Sequence, residues 1–466
     1  MKKLLVLFLL PYLSLGQNNY SEMLDSFMQK EASVNNFNGN ILIAKSGDIL
    51  YQKSFGYSNY NTQKLLDSNS KFELQSITKQ FTAMGILLLI EKGKLSFTDS
   101  LRKFFPELPY SNVTIQQLLT HTSGLPDDID LMSANWNHKI LASNKDLIKT
   151  LADKKPPPNF QPGRKWEYSN TAFELLSSII EKVSGMSYDD FINKYIFKPL
   201  QMNSSFATIN PSGKHIPNYA YGFIYSDSLK KYILPVSIPE LDFVFYLDGI
   251  TGAGNIVSTT GDLLKWDRAI KNHRLISEST QNEMLSPQSI MDTASKKYYG
   301  YGVILGKNEI GNYIMHGGDW PGYHTMLFRY TEDDITIIVL SNNESNSTML
   351  SGALAYIVTN REVVAPYKHR AIPIDTTIIG RYVGKYTVPG IPSPTRMKLT
   401  KKEGKLYYHF EKATSDIELK PESTTKFFND NPGADFQIEF VIDSSKKVAK
   451  AFIIVNSMKK EIDKIE

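Results

Sequence analysis

Phe72-Glu73-Leu74-Gln75-Ser76-Ile77-Thr78-Lys79-Gln80-Phe81 runs into the apolar stretch Met84-Gly85-Ile86-Leu87-Leu88-Leu89-Ile90 and stops at Gly93. If Ser76 opens a helix, Lys79 lies one turn on and on the same face, because residues three and four apart are helical neighbours. The helix start leaves unpaired N–H groups and a partial positive charge beside the hydroxyl, which favours an oxyanion there. The residues behind are apolar almost all round, so this helix is expected to be buried and rigid. A hydroxyl nucleophile needs an adjacent base and a fixed geometry. This segment offers both.

The Ser-x-x-Lys pattern is weak by itself. It recurs at Ser68/Lys71, Ser100/Lys103, Ser228/Lys231, Ser423/Lys426, Ser444/Lys447 and Ser457/Lys460. Among these, Ser76 alone opens a long apolar helix.

Composition sets outer bounds. The chain has 466 residues, 41% apolar and 21% charged, as globular proteins do, and its length predicts two or three domains. A net charge of +4 is small for this length and gives no case for nucleic-acid or membrane binding. There is no cysteine, which excludes disulfides, thiol nucleophiles and thiolate metal sites. Residues 1–16 carry Lys2 and Lys3, an apolar run from Leu4 to Leu10, and small Ser14 and Gly16. That order predicts a cleavable signal peptide too short to span a bilayer, hence a secreted or periplasmic protein with no stable membrane insertion.

Along the chain, Tyr20 to Val34 has helical spacing. Asn40–Ala44 and Ile49–Phe55 flank Lys45-Ser46-Gly47-Asp48 and read as a hairpin. Thr114–Leu119 predicts a helix ended by Gly124 and Pro126, and Thr171–Val183 one that stops at Gly185. Thr259 and Asp262 are spaced as a capping box. Tyr313–Met315, Tyr323–Tyr330 and Ile335–Leu340 read as strands. Past about Tyr367 the apolar residues alternate, at Leu406, Tyr408 and Phe410 and at Phe436, Ile438, Phe440 and Ile442. This predicts a domain of residues 17–370, strands at both ends and helices between, then a separate all-β barrel or sandwich over 371–466.

Two further motifs can carry chemistry. Tyr168-Ser169-Asn170 sits at a loop-to-helix junction, whereas Tyr57-Ser58-Asn59 and Tyr110-Ser111-Asn112 repeat it in less favourable places. A buried tyrosine is more often a packing residue. His316-Gly317-Gly318-Asp319 places glycines at an expected strand end, where backbone N–H groups can approach a ligand; its plainer reading is a tight turn with a solvent-facing histidine. No Gly-x-Ser-x-Gly elbow, His-Glu-x-x-His or phosphate loop is present. The eight histidines are scattered, and no metal or cofactor is expected.

Taken in order, Ser76-x-x-Lys79, Tyr168-x-Asn170 and His316-Gly317-Gly318 resemble the serine β-lactamase and penicillin-binding protein superfamily. The likeness is to the branch of class C β-lactamases, D-alanyl-D-alanine carboxypeptidases and esterases. Leu118–Pro126, Pro162–Asn170 and Gly252-Ala253-Gly254 support it, and it covers roughly residues 20–360. The resemblance implies an antiparallel sheet flanked by helices, with a mostly helical subdomain. It implies Ser76 as nucleophile, Lys79 and Tyr168 sharing the proton work, and Asn170 positioning substrate. The backbone N–H groups of Ser76 and Asp319 would form the oxyanion hole, beside His316, Gly317 and Gly318.

Where β-lactamases carry Lys-Thr-Gly, this chain has His316-Gly317-Gly318. An unperturbed histidine, pKa about 6.5, is mostly neutral at pH 7. The missing threonine hydroxyl removes a hydrogen bond to a substrate carboxylate. The expectation is therefore an ester, small amide or peptide substrate, with β-lactams handled poorly. The alternatives are a β-lactamase or D-Ala-D-Ala carboxypeptidase, and a catalytically weak sensor or binding protein. The C-terminal domain is similar to the lipocalin-like tails of some superfamily members and is a candidate for oligomerisation, cleft capping or wall binding.

Overall fold

The computed structural model describes residues 20–208, 215–390, 394–411, 413–429 and 435–465. The expected signal peptide lies outside them. Fold and register follow from the strands at the two ends of the first region. Gly39–Lys45 and Asp48–Phe55 form the expected hairpin, turned at Ser46 and Gly47, both at positive φ. The apolar strand Ile335–Ser341, buried along its whole length, pairs antiparallel with Gly39–Lys45 from Gly39↔Ser341 to Lys45↔Ile335. One eight-stranded antiparallel sheet results, which continues through Tyr323–Tyr330 and Asn312–Trp320 to shorter strands at the far edge.

One face of this sheet is covered by the helices Tyr20–Val34 and Ser347–Val358, through Leu24, Phe27, Leu354 and Ile357 against Ile41, Ile43 and Val339. The other face meets the helical region. At its centre runs Thr78–Glu91, whose residues from Thr78 to Leu89 are all buried. Gly85 lets this helix lie close to Asn170–Ser184, since a Cβ there would stand 2.8 Å from Ile180 Cδ1. The helix Asn170–Ser184 ends at Gly185 in the left-handed conformation, as its sequence predicts.

Three local expectations need correction. Ser76 does not open the α-helix; it sits in a 3₁₀ turn, Gln75–Ile77, that leads into it. The Thr259 cap is half a capping box. Thr259 Oγ1 accepts the Asp262 N–H, but the Asp262 carboxylate turns to the Ser204 N–H and the Ser205 hydroxyl, partners from a distant segment that sequence spacing does not reveal. His316–Asp319 lies inside a strand rather than at its end, because Asn312–Trp320 pairs with Tyr323–Tyr330 across its full length.

The C-terminal strands, from Gly384–Val388 to Met458–Lys464, close an eight-stranded barrel. Its inward alternation is the one read from sequence: Leu406 and Tyr408, Ile438 and Phe440 fill the interior with Tyr382, Tyr386 and Phe427. The barrel docks beside Ser347–Val358, with Met458 against Gly352 and Lys459 paired to Glu362. No helix among the described residues is long and apolar enough to cross a membrane.

Candidate active site

The 3₁₀ turn before the central helix sets the geometry. Gln75 is held at φ 51°, a left-handed conformation that costs a non-glycine residue about 1–2 kcal/mol. Its side chain donates to Glu73 at 2.7 Å, and Glu73 accepts from the Tyr219 hydroxyl, so the turn is braced on both sides of the strain. The strand carrying His316–Asp319 presses on this turn. A Cβ on Gly318 would stand 2.1 Å from the Leu74 carbonyl oxygen, so only glycine permits the approach.

Lys79 lies one turn beyond Ser76 and is fully buried. Its Nζ stands 3.1 Å from Ser76 Oγ, 2.8 Å from Asn170 Oδ1 and 3.1 Å from the Ala253 carbonyl oxygen. Burial lowers its pKa to about 7, with the Glu174 and Asp128 carboxyls opposing the shift. In the neutral amine, two N–H groups satisfy Asn170 and Ala253, and the lone pair is left for the Ser76 hydroxyl. The Tyr168 ring lies 4.8 Å from the same Nζ.

Tyr168 keeps 37% of its surface exposed as a residue, yet its phenol titrates as a buried group. Burial raises its pKa; the Ser76 hydroxyl opposes the rise, and the Asp319 and Asp128 carboxylates add to it. At neutral pH it is a phenol, a proton donor. His316 is buried too, its Nδ1 donating to the Gly317 carbonyl at 2.7 Å and its Nε2 accepting from Tyr299 at 3.0 Å. Burial, then Lys79, lower its pKa to about 4. It is therefore neutral across the physiological range, and not the solvent-facing turn histidine of the plainer sequence reading. Asp319 is exposed and pairs with His324 at 2.6 Å.

Sequence reasoning missed the carboxyls. Asp128 and Glu174 are each 4% exposed, line the cleft with Ser76 and Asn170, and each keeps one carboxyl oxygen without a hydrogen-bond partner. Burial raises Asp128 to about 6 and Glu174 well above its ordinary value. Glu174 is four residues after Asn170 on one helix face, a spacing visible in the sequence; Asp128 arrives at the start of a separate helix, Asp128–Asn135, and carries no such signal. The cleft is about 80 Å³, and Glu73, Asp248 and Asp319 complete its acidic lining. A pocket of about 70 Å³ adjoins it, sharing Glu73, Asp248 and Trp320, with Tyr219, Phe245 and Tyr323 on its wall. A larger cavity, about 590 Å³, lies between the barrel and the first domain, far in sequence and lining from Ser76.

The Beta-lactamase family model matches residues 29–359, well over half of the chain. The chain belongs to that family. Within the Beta-lactamase family it is 37% identical over 446 residues to Penicillin-binding protein 4* of Bacillus subtilis (strain 168), covering 94% of this chain and 97% of the relative. Among solved structures it is similar to the octameric penicillin-binding protein homologue from Pyrococcus abyssi, at 25% identity and TM-score 0.65, covering 95% of this chain and 99% of that one. The D-amino acid amidase from Ochrobactrum anthropi SV3 shares the fold, at 21% identity and TM-score 0.61, over 73% of this chain and 99% of its own.

Proposed function

We propose that the protein is an exported serine hydrolase that works through an acyl-enzyme on Ser76. The observation that carries the reading is the buried Lys79 amine, pKa about 7, whose N–H groups are occupied by Asn170 and Ala253 while its nitrogen faces Ser76 Oγ at 3.1 Å. A base poised near the working pH is the effective one. In this account Ser76 Oγ attacks the substrate carbonyl carbon and its proton passes to Lys79 Nζ. Tyr168 gives its phenol proton to the leaving group and is reprotonated from Lys79. Water then attacks the ester carbonyl, losing a proton to the same pair; that proton passes to Ser76 Oγ as its bond to the carbonyl carbon breaks, and the acyl group leaves as the acid. The Ser76 and Asp319 backbone N–H groups take the oxyanion; one such donor is typically worth ~10²–10³ in rate.

The substrate reading rests on charge. The cleft is lined by carboxyls, His316 is neutral, and Gly317 offers no hydroxyl, so nothing in this lining favours a substrate carboxylate. Esters, small amides and peptides without a carboxylate beside the scissile bond fit it, as do amine-bearing substrates such as amino acid amides; β-lactams and D-Ala-D-Ala peptides do not. The test is hydrolysis of p-nitrophenyl acetate and butyrate, D-alanine p-nitroanilide and nitrocefin by wild type and Ser76→Ala. Ser76-dependent turnover of the first three with little nitrocefin cleavage is expected. Efficient nitrocefin turnover overturns the substrate reading, and full activity of Ser76→Ala overturns the mechanism.

Export rests on the charge-apolar-small order of residues 1–16, and a mature N-terminus at Gln17 is expected from cells that secrete the protein. Self-association, for which the barrel is our proposed contact, is supported by the octameric homologue that aligns with nearly the whole chain. A monomeric mass by light scattering removes that part of the reading.

A further inference from the structure

His121 is wholly buried, stands at φ 56° without being glycine, and belongs to none of the groups assigned a chemical step above. Its contacts converge on one residue. The Glu167 N–H donates to the His121 carbonyl at 2.9 Å, and the Ser169 N–H donates to His121 Nδ1 at 3.0 Å. These are the backbone N–H groups of the residues just before and just after Tyr168. The imidazole also lies against the Tyr168 ring, centroids 4.4 Å apart and planes at 34°, and against Tyr299 at 4.4 Å from behind. Tyr299 in turn holds His316.

We propose that His121 is a positioning residue for Tyr168, fixing the phenol against Ser76 by gripping the backbone before and after it and one face of its ring. The inference rests on the serine-hydrolase reading of the site. Because Nδ1 accepts the Ser169 N–H, the ring proton sits on Nε2, which has no hydrogen-bond partner, and the imidazole is packed among the rings of Trp166, Phe173 and Tyr299. Protonating Nδ1 breaks the grip and adds a cation near Lys79 and His316. Burial and those two neighbours accordingly hold the ring in its neutral form. The titratable groups that face it are Lys79, Tyr168, Tyr299 and His316. A packing residue alone would need neither the acceptor nor the tautomer.

The test uses the full chain and p-nitrophenyl butyrate. His121→Phe keeps an aromatic ring and loses the acceptor; His121→Asn keeps an acceptor near Nδ1 and tolerates positive φ. His121→Phe is expected to lower kcat about 30–100-fold, the scale of a misplaced catalytic group, with KM changed less than about threefold. His121→Asn restores kcat to within about fivefold of wild type on the same scale. A folded His121→Phe enzyme with wild-type kcat overturns the proposal, as does an Asn variant no better than Phe. If the Phe variant does not fold, ¹⁵N-histidine spectra of the wild type decide. A neutral ring protonated at Nε2 down to pH 5 supports the grip; titration near the ordinary 6.5, or a proton on Nδ1, overturns it. Ser76→Ala separates the two claims: if Ser76 is dispensable the hydrolase reading falls, whereas a required Ser76 with an indifferent His121 removes this inference alone.

Discussion

The cleft around Ser76 and the interior of the C-terminal barrel are both buried, and they are built on opposite terms. The barrel is closed around apolar side chains that pair favourably: Tyr382 stacks on Phe440 at 4.3 Å and Tyr408 on Phe436 at 4.2 Å, and the Tyr386 hydroxyl donates to the Tyr382 carbonyl. Its charges pair on the outside, as Lys405 does with Glu418. The cleft instead buries an amine, keeps two carboxyl oxygens without partners, and holds Gln75 and His121 in left-handed backbone. Such costs persist only where the surrounding structure over-determines them, and they cluster where chemistry is done. Among the described residues, none from the barrel lines either pocket beside Ser76. The barrel interior is packed without such costs, and the cleft carries them.

Substitutions can break this division. The largest effect is expected from Lys79→Met, which should lower kcat/KM by about 10³-fold or more through loss of the base. Stability should move the other way. Because the folded pKa is about 7 and an unfolded lysine titrates near 10.5, the unfolded chain binds more protons between those values and wild-type stability rises with pH there. Below pH 7 the whole penalty of a buried charge remains. The Met variant is therefore expected to be more stable than wild type in urea melts at pH 6, by about 1–3 kcal/mol, with the difference shrinking toward pH 10. A destabilised Met variant would erase the contrast.

Phe427→Ala probes the other side. It empties a fully buried ring from the barrel and should cost about 3–5 kcal/mol of barrel stability, leaving kcat and KM for ester hydrolysis unchanged at temperatures where the barrel stays folded. Gly318→Ala sharpens the link between strand and nucleophile turn. The added methyl meets the Leu74 carbonyl, so kcat is expected to fall about 10²-fold. Smaller again is the effect of pH on wild type. The acid limb of kcat/KM should report an apparent pKa near 7, rate rising as Lys79 loses its proton, and no limb should appear near 4 from His316 unless it contributes a proton. Lys405→Ala, on the exposed barrel surface, should change neither activity nor melting temperature measurably.

The sequence made legible what local pattern encodes. Lys79 lies one turn beyond Ser76, although Ser76 sits in the 3₁₀ turn ahead of the helix; the helix expected from Thr171 begins one residue earlier, at Asn170; and the alternation after Leu406 is strand spacing. What escaped depends on contacts between distant segments. The His316-Gly317-Gly318 run reads as a strand end because glycines usually interrupt strands, but Gly318 is needed for close packing on the Ser76 turn. Asp262 fits a capping box until Ser204 and Ser205 compete for it. Asp128 reaches the cleft only through the fold, and the bond from the Ser169 N–H to His121, by which Tyr168 is gripped, spans 48 residues.

The central claim is that Ser76 is the nucleophile made reactive by Lys79. Its most direct test is labelling with a fluorophosphonate, whose serine adduct is stable to water, followed by peptide mass mapping. The account predicts one adduct on Ser76 in wild type, none there in Ser76→Ala, and slowed labelling in Lys79→Met. An adduct on another residue, or equal labelling of all three proteins, would contradict it.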